Sequence, residues 1–192
     1  VMTNKSLANF RDSIHHSLRA KNKNGYLCVS EQEESSVIKD IYFNKGNTDD
    51  ILIIQQDIKH NNCRPIENLF EWKARVNSCD FIVLICKNKG LHIFFCEIKS
   101  SIGKESREKA LKQINSSKIF FEFLYKNYLQ HFEPKDFEIS LENAKNIYIY
   151  PASNSQKNTT FASGKGNLKF KKVEMDLSGN VCIDDAYDFF GV

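Results

Sequence analysis

Asp80-Phe81-Ile82-Val83-Leu84-Ile85-Cys86, then Lys87-Asn88-Lys89-Gly90, then Leu91-His92-Ile93-Phe94-Phe95-Cys96-Glu97-Ile98-Lys99: this stretch decides how the chain folds. The run from Phe81 to Cys86 is shorter than an ordinary helix and apolar at every position. Such a run predicts a strand covered on both faces. The polar, glycine-ended Lys87–Gly90 segment predicts a hairpin connection, and Leu91 to Ile98 a second interior strand. Charge appears only where these strands enter or leave the core. Residues two apart on a strand share a face, so Glu97 and Lys99 project together. A hairpin closing at 87–90 brings the Asp80 end alongside them.

Downstream, Lys104 to Gln130 predicts a long helix, because Ala110, Leu111, Ile114, Phe121, Leu124, Tyr125 and Tyr128 trace one apolar stripe. Asn146 to Tyr150 reads as a strand halted by Pro151, 152–167 as a polar loop, and Leu168–Asp176 with Gly179–Ile183 as a C-terminal hairpin. Upstream, Phe70 to Val76 alternates apolar and polar residues, the period of a half-buried strand. Val37, Ile38 and Ile41 recur at helical spacing and predict a helix from about Glu31 to Phe43, stopped at Asn44-Lys45-Gly46. A first helix is expected over residues 6–20, ending at the Lys21–Gly25 turn cluster, and Ile51–Ile54 is a strand or a helix start. The order α-β-β-β-α-β predicts an α/β or α+β fold with a central mixed sheet of four to five strands flanked by helices. One domain is expected over 1–192, with its core at about 31–150 and an extension from 152.

The 192 residues, 41% hydrophobic and 27% charged with only 8 Gly and 3 Pro, exclude disordered, collagen-like and linker-dominated chains. A chain of this size buries roughly 70% of its unfolded surface, so neither a disulfide nor a metal is needed to hold the core. The six cysteines contain no C-x-x-C pair, which argues against structural zinc, and Cys86 and Cys96 read as buried free thiols. No apolar run approaches a membrane span and residues 1–20 hold no secretory apolar segment, so a soluble, cytoplasmic protein is expected. The net charge is only +3, but it is uneven. Residues 1–30 carry Lys5, Arg11, Arg19, Lys21 and Lys23 against Asp12 alone, and residues 157–172 carry five lysines and no acid. Such local surpluses suit a polyanion, though a solvated surface balanced by acids elsewhere is the plain alternative.

Two carboxylates and an ammonium converging at Asp80, Glu97 and Lys99 have a chemical use. Hard carboxylate oxygens hold Mg²⁺ through a few ligands while waters fill the rest, and the Ile98 carbonyl is placed to add another oxygen. A bound Mg²⁺ activates water and offsets phosphoryl charge. Lys99 would orient or deprotonate that water, or stabilise the charge that develops. The plain alternative is an ion pair between Asp80 and Arg75 across the preceding hairpin, with Glu97 and Lys99 merely marking the strand's exit.

Asp80…Glu97-Ile98-Lys99 resembles the signature of the PD-(D/E)xK nucleases, over about Glu31 to Tyr150. The resemblance implies a restriction endonuclease-like core and a metal-dependent endonuclease acting on DNA, with Mg²⁺ as cofactor and Mn²⁺ able to substitute. It implies Asp80, Glu97 and the Ile98 carbonyl as metal ligands and Lys99 as the catalytic lysine. Family members often add a Glu from the first core helix, which Glu34 fits, and a Gln on the helix after the lysine, which Gln113 fits. The chain departs from the pattern at Cys79, where the family often has Pro, and at Ser117, where some subfamilies place Tyr. Lys165, Lys169, Lys171 and Lys172 are the candidate nucleic-acid contacts, DNA ahead of RNA, and a homodimer is compatible with this reading. The rivals are an inactive binding or immunity-type module on the same fold, and an RNase or toxin domain.

Overall fold

The computed structural model describes residues 3–31, 33–46, 49–56, 77–88, 90–134, 137–152 and 167–192. In chain order these form α1 (Asn4–Ser13), a 3-10 turn (His16–Leu18), β1 (Lys21–Lys23), β2 (Tyr26–Ser30), β3 (Asp40–Asn44) and β4 (Ile51–Ile54). There follow β5 (Phe81–Lys87), β6 (Gly90–Ile98), α2 (Lys104–Phe132), β7 (Lys145–Pro151), β8 (Leu168–Val173), β9 (Asn180–Ile183) and α3 (Ala186–Phe190). The fold is mixed α+β with two mixed sheets, one of five strands in the order β4-β5-β6-β7-β8 and one of four in the order β1-β2-β3-β9.

The five-stranded sheet is the middle of three layers, which is why β5 is apolar at every step from Phe81 to Cys86. Phe81, Val83 and Ile85 of β5, with Phe94, Cys96 and Ile98 of β6, meet Val29, Ile41, Phe43 and Val181 from the four-stranded sheet. The alternate residues Ile82, Leu84, Ile93 and Phe95 face the other way, onto Leu7 and Phe10 of α1 and Ile114, Phe121 and Tyr128 of α2. The mixed sheet flanked by helices is observed with α1 and α2 on one face; on the other lie the second sheet and the short α3, through Ala186 and Phe190. No helix among the described residues is long and apolar enough to cross a membrane.

The β5–β6 hairpin, α2 and β7 stand where the sequence places them, with α2 two residues longer than read. Gly90 pairs with Lys87 and the turn carries Asn88 at φ 53°. β7 then lies parallel to β6, Ile98 beside Ile149. The strand read at Phe70–Val76 lies outside the described residues, and β4 pairs with β5 instead.

Two upstream and downstream expectations fail. The helix read over 31–43 is a turn followed by β3, because Ile41 and Phe43 point inward at a period of two while Val37 is 42% exposed. Pairing on both sides, antiparallel to β2 and parallel to β9, outweighs the helical spacing of three side chains. The C-terminal segments are strands but not a hairpin: β8 runs parallel to β7 in one sheet and β9 parallel to β3 in the other. In this way Val173 and Val181 both reach the core between the sheets. The crossing needs a tight turn at Gly179, whose φ is +81° and where a Cβ would sit 2.5 Å from the Val37 carbonyl oxygen.

Candidate active site

The β5–β6 register pairs Phe81 with Cys96, so the next step outward sets Asp80 across from Glu97. Both belong to the series that faces the helices, with Ile82 and Phe95 next inward. Asp80 is fixed by its backbone neighbour: the Ile98 N–H donates to Asp80 Oδ2 at 2.5 Å. Lys99 Nζ donates to Glu97 Oε1 and, at 3.2 Å, to Gln113 Oε1 on α2. Gln113 Nε2 in turn donates to the Ser78 carbonyl at 3.1 Å. One helix side chain thus ties the entry of β5 to the lysine beyond β6. The structure brings Asp80, Glu97, Lys99 and Gln113 together.

These groups line a cavity of about 130 Å³ at the end of the middle sheet, room for on the order of four waters. Glu97 is fully buried, and its Oε2 has no hydrogen-bond partner among the described residues. Burial raises the Glu97 carboxyl to about 7 against the pull of Lys99, and a more distant Glu31 adds to the rise. Asp80 is also held well above the ordinary carboxylate range, by burial first and then by Glu97 and Glu31. Lys99 moves up: burial opposes its charge, but Glu97 and Asp80 outweigh it, so the amine is an ammonium at neutral pH.

Such a raised acid destabilises the fold as it ionises. The folded chain holds the Glu97 proton more tightly than the unfolded chain, so stability falls as pH rises from about 4.5 to about 7. Asp176 works in the opposite sense below its ordinary value of 3.8, and His92, held below 6.5 by burial and by Lys145 and Lys87, opposes the fall inside the window, while the raised Asp80 adds to it. Urea midpoints without divalent ions are expected to drop between about pH 5 and about pH 8 in the wild type. In Glu97→Gln the drop should be smaller, and an identical drop would contradict the shift.

Glu34 does not join the cavity. With no helix at 31–43 it sits in an exposed turn, where its carbonyl accepts from Lys39 Nζ at 2.7 Å. Glu31 and Glu33 line the cavity instead, and Glu31 Oε1 accepts from the Glu33 N–H at 2.9 Å. The signal for them was Asn24-Gly25, the strongest two-residue hairpin pair, which makes Tyr26–Ser30 a strand whose exit is Glu31. The buried support behind Asp80 was also missed. Ser117 Oγ accepts from the Cys79 N–H at 2.7 Å and donates to Gln56 Oε1 at 2.8 Å. Ser117 is fully buried. Ser117→Ala leaves both partners unpaired and is expected to cost about 1–3 kcal/mol by urea unfolding.

The donor set fits a small hard cation. Among the described residues no three acidic, His or Cys side chains are grouped to hold an ion, so no preassembled zinc-type cage exists. Two carboxylates, one with an unpartnered buried oxygen, are the kind of partial set that Mg²⁺ completes with water. Of the basic residues read as nucleic-acid contacts, Lys169, Lys171 and Lys172 lie on the edge strand β8 and none lines the cavity, while Lys165 lies outside the described residues. No family model, no curated protein and no solved structure matches the chain.

Proposed function

We propose that the protein is a Mg²⁺-dependent nuclease that hydrolyses phosphodiester bonds at the Asp80–Glu97–Lys99 cavity, with DNA ahead of RNA as substrate. The observation that carries the reading is the buried, unpartnered Glu97 oxygen, set beside Asp80 and Lys99 on one face of two adjacent strands. Support for a restriction endonuclease-like core comes from the run β5–β6–α2–β7, an antiparallel hairpin, a long helix and a parallel return, which is the part of the chain that carries the signature.

Asp80, Glu97 and the Ile98 carbonyl are the groups that would hold the ion. When bound, Mg²⁺ lowers the pKa of a coordinated water and offsets charge on the phosphoryl oxygens. Lys99 enters as an ammonium, because its acidic neighbours favour the charged form. It therefore stabilises negative charge on the phosphoryl group rather than removing a proton. Gln113 fixes where that charge sits, holding Lys99 through its oxygen and the Ser78 carbonyl through its nitrogen. The Ile98 N–H fixes the Asp80 carboxylate and Ser117 fixes the backbone of the preceding Cys79, so little reorganisation is left for the reaction itself.

The test is incubation of the protein with supercoiled plasmid and with structured RNA, in Mg²⁺, in Mn²⁺ and in chelator. Nicking or linearisation that requires the metal is the expected result, faster on plasmid than on RNA. Cleavage confined to RNA would move the substrate assignment. Absence of any cleavage in either metal would leave an inactive binding module on the same architecture.

A further inference from the structure

A second cavity, of about 320 Å³, opens where α1, the β1–β2 hairpin and β4 meet. Its polar lining is Arg11, His16, Arg19, Lys21, Asn22 and Lys45, over an apolar floor that includes Ile53 and Leu27. No acid is among the lining residues. The acids that pair with these cations stand outside it: Arg11 reaches Asp49 at 2.9 Å and Asp12 at 3.2 Å, and Arg19 reaches Asp12 at 3.5 Å. Asp12 and Asp49 are 64% and 67% exposed, whereas the side chains of Arg11, Arg19 and Lys45 are 26%, 31% and 20% exposed. The cations thus form the wall and the acids the outer rim. A guanidinium has five donors, and Arg11 reaches Asp12 through Nε and Asp49 through Nη1.

The groove and the catalytic cavity are walled by neighbouring residues of the same two strands. Leu27 of β2 and Ile53 of β4 line the groove, while Ser30 of β2 and Gln55 just beyond β4 line the cavity. Gln55 Nε2 donates to the Ser30 carbonyl at 3.1 Å and so ties the two walls together between them. Arg19 is held against this wall by its bridge to Ile54 and by the neighbouring Ala20 N–H, which donates to the Ile53 carbonyl at 3.0 Å.

We propose that this groove binds the phosphodiester backbone of the nucleic acid next to the bond that is cut. Arg11, Arg19, Lys21 and Lys45 take the phosphates, and the apolar floor lies under the sugar. The inference rests on the nuclease reading for the identity of its ligand. It moves the main backbone contacts from the β8 lysines to the N-terminal arginines.

The experiment is fluorescence anisotropy with a fluorescein-labelled DNA duplex, in chelator so that nothing is cleaved, over a series of salt concentrations. For Arg19→Gln/Lys45→Gln the expected loss of affinity is about tenfold or more, with a salt slope smaller by about two. Lys21→Gln, on an exposed strand position, is the second variant in case the double one fails to fold, and its slope should fall by about one. Lys169→Gln/Lys171→Gln should change both quantities less. Unchanged affinity and slope in the groove variants, or a larger loss in the β8 variant, would overturn the proposal. Groove-dependent binding without metal-dependent cleavage would sink the nuclease reading while upholding the groove; cleavage with the groove variants binding as wild type would do the reverse.

Discussion

Glu97→Gln and Lys99→Met are each expected to lower the rate of metal-dependent cleavage by about a thousandfold or more, the scale of losing a positioned charge in a dry site. The two changes should do so without unfolding the protein. Glu97→Gln keeps the volume of the side chain and an oxygen for Lys99 Nζ, while it removes an acid whose ionisation costs stability in its buried position. Lys99→Met keeps the aliphatic stem and leaves Glu97 free to take up its proton. Single-turnover cleavage of plasmid and circular dichroism on the same preparations check both halves. Activity within a few-fold of wild type in both variants would remove these residues from the reaction. A loss of activity that tracked a loss of secondary structure would show only that they hold the fold.

The largest expected effect on stability lies far from this cavity. Phe10 of α1 is fully buried, with its ring centroid 4.8 Å from Tyr128, 4.9 Å from Phe137 and 6.3 Å from Phe121. It is the contact through which α1 joins α2 on the helical face of the middle sheet. Phe10→Ala removes a ring that the neighbours cannot close over and is expected to cost about 3–5 kcal/mol. That is a large share of the roughly 5–15 kcal/mol that holds a domain together. Urea unfolding followed by circular dichroism measures it. Ile119→Ala is the control, because Ile119 is 72% exposed on α2 and should change stability by no more than about 0.5 kcal/mol.

What the sequence made legible follows from which interactions are local. The β5–β6 hairpin, α2 and β7 each carry their own periodicity, and the four side chains at the heart of the cavity belong to those elements or to their ends. The four-stranded sheet was hidden because its strands are poor in local signal. Lys21-Asn22-Lys23 has no apolar residue and is a strand only because Asn24 and Gly25, at φ 52° and 86°, turn it onto Tyr26–Ser30. β3 carries a misleading helical signal, because Val37, Ile38 and Ile41 share a helical spacing by accident. The partners that settle the matter, β2 and β9, include one that lies some 140 residues away along the chain. The helical spacing points to Glu34 as the remote acid. The exit of β2 places Glu31 and Glu33 there instead.

A divalent cation shared by Asp80 and Glu97 would show in crystals grown or soaked in Mn²⁺, by an anomalous difference map phased on the protein. The expected result is a peak within about 2.0–2.3 Å of a carboxylate oxygen from each residue, lost in Glu97→Gln. A well-ordered cavity with no peak at saturating Mn²⁺, or a peak held by other side chains, would contradict it.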